Sequence, residues 1–354
     1  MSILILNDIH LGVSRVSGTT PGSAEQLRGY LQSQFAFTLN EHLDDDLLIL
    51  GDLFDGFWID PSELIEAYST LCDWLFDSGR NLTLVAGNHD HSPKGGKVSS
   101  FEFLCKMLTG RFPQQVLVVD AKTGLRTVLP RVHVIPHMPN QDLFEIELGK
   151  ALELDEGWLL LHCNYTNHFA EKSDHSLNIT DEWAEKLTAR HRLMIAHEHQ
   201  ARHINLGKMV EVLGNQWPSS VSDCLAHGDG QADGRKYLTI LKDDLGFQCI
   251  ETWDAAVCYA EVDWRELDEG EHDFIRVTGS ATSAEAEDVI DAIAKYRQGS
   301  DAFVITNAVK IEGMADVEGM AGFSLETVKS FDVMAALLAQ LEPEEAAVIQ
   351  EVMQ

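Results

Sequence analysis

The sequence predicts a layered α/β fold, and two observations support that prediction. Short apolar runs, typical of buried strands, alternate with longer amphipathic stretches from residue 1 to about residue 250. Each apolar run ends in a polar turn that is rich in His, Asp and Asn. Buried strands with polar groups at their carboxyl ends are typical of layered α/β proteins. We therefore expect a two-sheet α/β sandwich, flanked by helices, with its functional loops on one edge.

Five strands can be assigned from the sequence, and candidate functional side chains follow each one. The predicted strands are Ile3–Leu6, Leu47–Leu50, Leu82–Ala86, Trp158–Leu161 and Leu193–Ala196. The intervening segments Ser62–Asp77 and Leu143–Leu154 have the apolar spacing of helices. This alternation predicts one main domain over residues 1–257.

The rest of the sequence predicts a small α+β unit and a helical tail. Predicted strands at Asp273–Thr278 and Ala302–Val309 flank a predicted helix at Ala284–Tyr296. Residues 258–313 are therefore expected to form a cap domain. Apolar residues at helical spacing predict C-terminal helices within residues 314–354.

Composition limits the classes to which the protein can belong. The chain has 354 residues, of which 45% are hydrophobic and 23% charged, and this balance excludes a disordered or fibrous protein. The 26 Lys and Arg residues against 57 Asp and Glu residues give a net charge of −31. Such a charge argues against binding to nucleic acid or anionic lipid by bulk electrostatics alone. The six cysteines form no C-x-x-C pair, and no apolar run reaches membrane-spanning length, so we expect reduced thiols and a soluble, cytoplasmic protein.

Seven side chains at the ends of the five strands form the candidate site. They are Asp8, His10, Asp52, Asn88, His162, His197 and His199. Each one has a structural explanation when it is taken singly, such as a turn cap or a core histidine. Together they are difficult to explain in that way, because unpaired polar groups at the ends of buried strands are costly. A mixed oxygen and nitrogen ligand set suits Mn²⁺, Fe²⁺ or Zn²⁺, and two such ions about 3.5–4 Å apart would clamp a displacement at phosphorus.

The motifs around these residues resemble those of the calcineurin-like metallophosphoesterase family. That family has D-x-H, G-D-x-x-D, G-N-H-D/E, a lone H and G-H-x-H, in this order. The matching segments are Asp8-Ile9-His10, Gly51-Asp52-Leu53-Phe54-Asp55, Gly87-Asn88-His89-Asp90, His162 and His197-Glu198-His199. The sequence departs from the pattern at Ala196, where the family usually has glycine.

The resemblance implies a role for each matching residue. The first metal would be held by Asp8, His10 and His199, the second by Asn88, His162 and His197, and Asp52 would bridge the two. His89 would approach the scissile phosphate as a general acid, and the Asp55 carboxylate would orient the His89 ring. The alternative for Asp55 is an acid that only caps a turn. The resemblance favours Mn²⁺, with Mg²⁺, Fe²⁺ and Zn²⁺ as alternatives.

Within the family, the opening Asp8-Ile9-His10-Leu11-Gly12 is most similar to SbcD-type double-strand-break repair nucleases. This similarity implies a DNA exonuclease, with or without endonuclease activity, that hydrolyses phosphodiester bonds with a hydroxide activated by two metals. It also implies a role in DNA recombination, repair or degradation, and a cap domain that faces DNA. Phage-encoded members are about this short, so a phage origin and the host cytoplasm are expected. The implied partners are DNA, a second copy in a homodimer, and an SbcC-type ATPase that binds the C-terminal helices.

Two other functions stay open at this point. One is a phosphomonoesterase or cyclic-phosphodiester hydrolase that acts on a small substrate, and the other is a low-turnover metal-binding subunit of a larger complex. Candidate DNA contacts lie in the basic stretch 80–131, shortly after the Asn88-His89 turn; they are Lys94, Lys97, Lys106 and Arg111. Trp58 could stack on a base, although we expect it in the core.

Overall fold

Four layers make up the main part of the protein, which is described here from a computed structural model. Two six-stranded sheets pack face to face, and helices cover the outer face of each sheet. The structure describes residues 2–13, 21–90, 97–167, 177–206, 208–224, 234–267, 274–299 and 304–311. The predicted two-sheet α/β sandwich is confirmed. The helices predicted within residues 314–354, and the candidate DNA contact Lys94, lie outside the described residues.

The first sheet supplies the loops that hold the N-terminal half of the candidate site. Its strands, in spatial order, are β14 (Phe247–Asp254), β13 (Arg235–Leu241), β1 (Ile3–Leu6), β2 (Asp46–Leu50), β3 (Leu82–Val85) and β4 (Val116–Val119). Strands β1 to β4 are parallel, and β13 is antiparallel to both of its neighbours. The outer face packs against α1 (Pro21–Glu41), α2 (Pro61–Ser78) and α3 (Ser100–Arg111). The carboxyl ends of β1, β2 and β3 therefore meet at one edge.

The second sheet brings the C-terminal ligands to the same edge. Its strands, in spatial order, are β11 (Arg202–Leu206), β12 (Lys208–Val212), β10 (His191–Ala196), β7 (Gly157–His162), β6 (Val132–Ile135) and β5 (Arg126–Leu129). The four central strands are parallel, and the two edge strands β11 and β5 are antiparallel to their neighbours. Helices α4 (Gln141–Ala151) and α5 (Asp181–Thr188) cover its outer face. The short strands β8 (Asn164–Tyr165) and β9 (Asn178–Ile179) pair just after β7.

Alternating side chains of the central strands belong to different cores. In β1, Ile3 and Ile5 pack between the two sheets, whereas Leu4 and Leu6 pack against the helices. Strand β7 alternates in the same way between the inter-sheet core and the core beneath α4 and α5. Since both faces are buried, nearly every interior position of such a strand is apolar, which is why these strands appear in the sequence as nearly continuous apolar runs.

Helix α2 shows why the predicted helix at Ser62–Asp77 forms. The Asp60 carboxylate accepts a hydrogen bond of 2.9 Å from the Ser62 backbone N–H, and Pro61 occupies the first turn. Gly79, with φ of 62°, ends the helix and donates to the Leu75 carbonyl. Helix α3 begins in a capping box formed by Ser99 and Glu102. Both helices run antiparallel to the strands, so their N-termini lie at the edge that carries the site.

A smaller unit follows β14, the last strand of the first sheet along the chain. Its parallel sheet contains β15 (Tyr259–Asp263), β16 (Phe274–Thr278) and β18 (Val304–Asn307), and α7 (Ala286–Gly299) packs on this sheet. The short helix α6 (Ala255–Cys258) precedes β15. A separate pair of short strands joins β17 (Ser280–Ala281) to β19 (Lys310–Ile311). The predicted β-α-β pattern is present, with β15 as an additional strand. Phe274 packs on Trp253 with ring centroids 5.7 Å apart, which joins this unit to the first sheet. The domain boundaries themselves stay a prediction.

Two further features of the structure concern the cysteines and the lengths of the helices. All six cysteines are free, and four of them are buried. Among the described helices, none is both long and apolar enough to cross a membrane. Disulfides therefore play no part in holding the layers together.

Candidate metal centre

The seven predicted ligands converge at the edge shared by the two sheets. Loops after β1, β2 and β3 supply Asp8, His10, Asp52 and Asn88, and the ends of β7 and β10 supply His162, His197 and His199. One group with ligand atoms within 4.8 Å of one another contains Asp8, His10 and His199. A second such group contains Asp8, Asp52, His162 and His197. The side chain of Asn88 joins the second group, because its Oδ1 lies 3.0 Å from Nε2 of His162.

Four of these residues have a left-handed backbone, which non-glycine residues seldom adopt. The φ angles are 48° at Asp8, 54° at His10, 48° at Asp52 and 91° at His197. Each costs about 1–3 kcal/mol and persists only where the surrounding structure holds it. Here the first two loops hold each other, since Asp8 N donates to the Gly51 carbonyl and His10 N to the Asp52 carbonyl. The strained backbone turns the ligand side chains toward one point.

Two glycines leave space for the ligands. A Cβ on Gly87 would lie 2.1 Å from Oδ1 of Asp52, and a Cβ on Gly51 would lie 2.1 Å from Nδ1 of His162. Gly51 also has a φ of 81°, which favours glycine. The glycines that precede Asp52 and Asn88 in the sequence motifs are therefore required by close approach of other ligands.

Each histidine of the first group has a carboxylate near its other ring nitrogen. Nε2 of His10 lies 3.0 Å from Nε2 of His199, so both nitrogens face the same point. Nδ1 of His199 lies 2.9 Å from Oδ1 of Asp223, and Nδ1 of His10 lies 3.4 Å from Oδ1 of Asp55. A carboxylate at one ring nitrogen leaves the other free to bind a metal.

In the second group, three hydrogen-bond acceptors point at one another. Nδ1 of His162 donates to the Leu50 carbonyl at 3.1 Å, which leaves Nε2 as an acceptor when the ring is neutral. That Nε2 faces Oδ1 of Asn88 at 3.0 Å and Oδ2 of Asp52 at 3.4 Å. Such an arrangement requires a cation or a proton between the three atoms.

The pKa values of these ligands reflect the several carboxylates that lie close together at the site. Burial by itself lowers the pKa of His10, but Asp55, Asp52 and Asp8 outweigh it and raise that pKa to about 9. The pKa of His162 is likewise raised to about 9, because Asp52 outweighs burial. Burial favours the neutral form of Asp52, yet the charge of His162 holds the pKa of Asp52 well below its usual range.

His197 titrates in the opposite direction from its neighbours. Burial and the charge of His162 lower the pKa of His197 to about 4. Its ring centroid lies 5.2 Å from that of His162, so a second imidazolium there would be repelled. The ring of His197 is therefore neutral at neutral pH, as a metal ligand must be.

The residues fit a divalent metal pair on an independent observation. Oδ2 of Asp8 accepts hydrogen bonds from the Asn7 side chain at 2.7 Å and from the His197 backbone at 2.9 Å. Oδ1 of Asp8 is buried and has no hydrogen-bond partner among the described residues. A buried oxygen with no donor is costly, and a bound cation would satisfy it. Two divalent ions in these groups would supply Lewis-acid activation of a phosphate ester.

The structure corrects the predicted partner of His89. Nδ1 of His89 lies 2.6 Å from the backbone carbonyl oxygen of Asp55, whereas the Asp55 carboxylate approaches His10. The His89 backbone N–H donates to Oδ1 of Asp52 at 3.0 Å, and Nε2 of His89 lies 4.0 Å from Oδ2 of Asp52. Ligand atoms of His10, Asp52 and His89 also lie within 4.8 Å of one another. His89 thus lies directly beside the two groups that contain Asp8, at their rim, where its Nε2 can hold a proton toward a bound ester. The prediction that the Asp55 carboxylate orients His89 is wrong in this structure, because the chain turn after Asp52 presents the carbonyl instead.

The predicted DNA contacts are spread along α3. Lys97 is exposed just before the helix, Lys106 is exposed near its middle, and Arg111 is exposed at its last residue, beside the Phe112 ring. Gln115, which follows the helix, accepts a backbone hydrogen bond from Leu82 at the start of β3. Arg111 therefore lies toward the opposite edge of the sheet, and the structure does not bring it to the metal groups.

Trp58 was expected in the core, and that expectation is wrong. The residue is 67% exposed, because it follows the turn of Asp55 and precedes Asp60, the N-cap of α2, on the outside of the molecule. Together with Asp55 it lines a cavity of about 740 Å³ beside the metal groups. His10, Asp52, Asp55 and His89 line a smaller cavity of about 240 Å³ directly over them.

Two further polar residues belong to this site. Asp223 contacts His199, and the ammonium of the fully buried Lys236 donates to the His199 carbonyl at 2.6 Å. Burial by itself raises the pKa of Asp223, but its hydrogen bond to His199 outweighs burial and holds the pKa well below the usual range. The sequence signal was a single lysine among apolar strand residues, which becomes informative only once β13 is known to be central.

Comparisons with known proteins agree with the motifs. A profile of the family described as calcineurin-like phosphoesterase matches residues 1–203. No curated protein sequence matches the chain. A purple acid phosphatase from yellow lupin (Lupinus luteus) is 13% identical, with a TM-score of 0.37; the match covers 68% of this chain and 48% of that one. The chain thus spans about half the length of the lupin enzyme.

A second solved structure is similarly distant. A dimetal phosphatase from Danio rerio is 11% identical, with a TM-score of 0.32, and the match covers 71% of this chain and 99% of that one. Likenesses this weak carry no argument about substrate. The family profile covers more than half of the chain and includes all seven candidate ligands, from Asp8 to His199. The chain belongs to the calcineurin-like phosphoesterase family.

Proposed function

We propose that this phosphoesterase hydrolyses phosphodiester bonds in DNA and uses Mn²⁺ as its metal. The observation that carries the proposal is the pair of ligand groups around Asp8 and Asp52, with His89 at their rim. Two divalent ions held in this way suit displacement at phosphorus, and the oxygen and nitrogen ligand set suits Mn²⁺. His89 would donate a proton from Nε2 to the leaving oxygen.

The surface around the metal groups supports DNA as the substrate. Trp58 presents an exposed aromatic ring on which a nucleobase can stack. Lys97 is exposed on the segment that enters α3, and Ser100 N at the start of that helix donates to the Phe57 carbonyl at 2.9 Å. The lysine and the tryptophan therefore lie on adjoining segments. A stacking ring and a cation near a phosphoesterase centre are groups that a DNA strand can use.

A small phosphate ester is the second candidate, and the lining of the large cavity favours it. Carboxylates of Asp55, Asp60, Glu25, Glu63 and Glu66 line that cavity. The cation in the same lining, Arg28, is paired with Glu63 at 3.1 Å. Such a lining repels a polyanion and accepts an uncharged or cationic leaving group.

A substrate panel separates the two candidates. Purified protein with Mn²⁺, Mg²⁺ or EDTA is incubated with end-labelled duplex DNA, single-stranded DNA, bis-p-nitrophenyl phosphate and p-nitrophenyl phosphate. The proposal expects metal-dependent cleavage of DNA and of the diester. Cleavage of the monoester with intact DNA would support the second candidate and overturn the first.

Two matched pairs of variants test the proposed DNA surface. Trp58→Ala should weaken single-stranded DNA binding, whereas Phe76→Ala, which removes an aromatic ring that is 79% exposed near the end of α2, should not. Lys97→Ala should flatten the salt dependence of duplex binding by about 0.9 in log–log slope per phosphate contact, whereas Arg111→Ala should leave it unchanged. Equal effects within either pair would contradict the proposed surface. The homodimer and the SbcC-type ATPase stay predictions.

A further inference from the structure

One polar segment forms hydrogen bonds that support two metal ligands of the first group, Asp8 and His199. It runs from Gly214 to Cys224, after β12, and includes a short 3-10 helix at its end. Its residues Gly214, Asn215, Gln216 and Ser219 are buried although most are polar. Buried polar residues are retained where hydrogen bonds satisfy them, so their partners indicate what the segment does.

The first contact of the segment is with Asn7, the residue before Asp8. Oε1 of Gln216 accepts from the Asn7 backbone N–H at 2.8 Å, and Nε2 of Gln216 donates to Oδ1 of Asn7 at 2.8 Å. Nδ2 of Asn7 then donates both to the Gly214 carbonyl and to Oδ2 of Asp8, each at 2.7 Å. Gln216 thereby fixes the amide of Asn7, and Asn7 fixes the carboxylate of Asp8.

The second contact is made by Asp223 with His199. One carboxylate oxygen, Oδ1, lies 2.9 Å from Nδ1 of the His199 ring. The other, Oδ2, accepts from the Asn215 side chain at 3.0 Å and from Ser219 N and Ser220 N at 2.9 and 3.1 Å. The donors at Oδ2 hold the carboxylate in place, and Oδ1 in turn holds the ring so that Nε2 faces His10.

The buried Lys236 holds His199 from its backbone side. Its Nζ donates to the His199 carbonyl at 2.6 Å, and the residue is fully buried on the central strand β13. A buried ammonium is tolerated where anions compensate it, and the charges of Asp223 and Asp8 act on it here. His199 is therefore fixed at its ring by Asp223 and at its main chain by Lys236.

We propose that Gln216 and Asp223 are positioning residues for the metal pair. Asp223 acts through the His199 ring and sets the affinity of the metal bound by Asp8, His10 and His199. Gln216 acts through Asn7 and Asp8, and Asp8 belongs to both ligand groups. His162, which belongs only to the other group, has a different support, since its ring donates to the Leu50 carbonyl. Outer-shell partners of this kind typically change metal affinity by roughly 10–100-fold. The inference rests on the metal site of the proposed function and is independent of its substrate.

The test measures metal binding, not turnover. Mn²⁺ is titrated calorimetrically into metal-free wild-type protein and into Asp223→Asn and Gln216→Leu. We expect Asp223→Asn to weaken one of two binding events by roughly 10–100-fold while the other keeps its affinity, and Gln216→Leu to weaken both, because Asp8 belongs to both groups. A long-range ¹H–¹⁵N spectrum of the wild-type protein should also show a proton on Nδ1 of His199, which tests the contact without any substitution.

Two residues at the opposite edge, the buried Asp46 and the partly buried Gln115, provide matched controls. Asp46 accepts from the backbone and side chain of Asn81, and Gln115 donates to the Leu75 and Arg80 carbonyls. Asp46→Asn and Gln115→Leu should lower the melting temperature and leave both Mn²⁺ affinities unchanged. Equal weakening of both metals in Asp223→Asn, unchanged affinities in Gln216→Leu, weakening in the controls, or a His199 ring without a proton on Nδ1 would overturn the proposal. Loss of DNA cleavage alone, with two intact binding events, would count against the proposed substrate only.

Discussion

The His89 ring is held by the backbone carbonyl of Asp55, whose oxygen lies 2.6 Å from Nδ1, while the carboxylate of Asp55 lies against His10. A carbonyl only accepts hydrogen bonds, so Nδ1 of His89 keeps its proton, and Nε2 is the nitrogen that can gain or lose a proton toward a bound ester. The two parts of Asp55 therefore serve different histidines.

Asp55→Asn should act on metal binding through His10. The amide cannot replace the carboxylate near Nδ1 of His10, so Mn²⁺ affinity at the group of His10 should fall, by roughly 10–100-fold. The acidic limb of the pH–rate profile at saturating metal should stay in place, because the carbonyl that holds His89 remains. A shifted limb with unchanged metal affinity would restore the carboxylate as the partner of His89.

His89→Ala should leave both metals bound, because its ring lies at the rim of the ligand groups. The turnover number should fall by roughly 10²–10⁴, the usual range for general acid–base catalysis. Metal content by plasma mass spectrometry and kcat with a diester substrate are the two measurements. A variant that has lost metal would show that His89 is itself a ligand.

Asp52→Asn should abolish hydrolysis and weaken both metals. Oδ2 of Asp52 lies 3.4 Å from Nε2 of His162, and Oδ1 accepts a hydrogen bond from the His89 backbone N–H. The carboxylate therefore lies between a ligand of the second group and His89. A neutral amide offsets less of the charge of two dications. Turnover near that of the wild type with one metal missing would contradict a binuclear mechanism.

Gly87→Ala should disrupt the site by close contact alone. The new Cβ would meet Oδ1 of Asp52 at 2.1 Å and its backbone nitrogen at 2.5 Å, so the Asp52 loop must shift. We expect loss of metal binding and a lower melting temperature. In Gly149→Ala, within α4, a Cβ meets nothing within 4 Å, and a stabilisation of about 0.5–1 kcal/mol is expected. Similar stability and metal content in both variants would show that the loop tolerates the methyl group.

Metal binding should release protons near neutral pH. His10 and His162 have pKa values raised to about 9 from 6.5, so in metal-free protein at pH 7 both rings are charged and must lose their protons to bind metal. The raised pKa values of these two histidines also stabilise the metal-free fold. Their contribution to the free energy of unfolding is fully present below pH 6.5 and is lost as the pH rises through 9. Mn²⁺ affinity should therefore increase with pH up to about 9. Calorimetric enthalpies that do not depend on the ionisation enthalpy of the buffer would contradict proton release.

The parts of the site that are local in the chain could be predicted from the sequence. The strands that end at Asp8 and at His162 are continuous apolar runs, and such runs have few alternatives to a buried strand. The orientation of Asp55 could not be predicted, because its carbonyl and carboxylate differ only in how the turn folds. Asp223 and Lys236 were missed for a different reason, since their importance depends on hydrogen bonds to His199 between elements that are distant in sequence.

Each ligand group contains residues from both sheets, and this has a consequence for the folding of the chain. Asp8 and His10 come from the first sheet, whereas His197 and His199, each 189 positions later than its partner, come from the second. A cation bound between them is a reversible cross-link that closes a very long loop. Closure of a long loop removes more entropy from the unfolded chain than closure of a short one. In a chain whose six cysteines are all free thiols, a bound metal pair would take the place that a disulfide between distant segments has in a secreted protein.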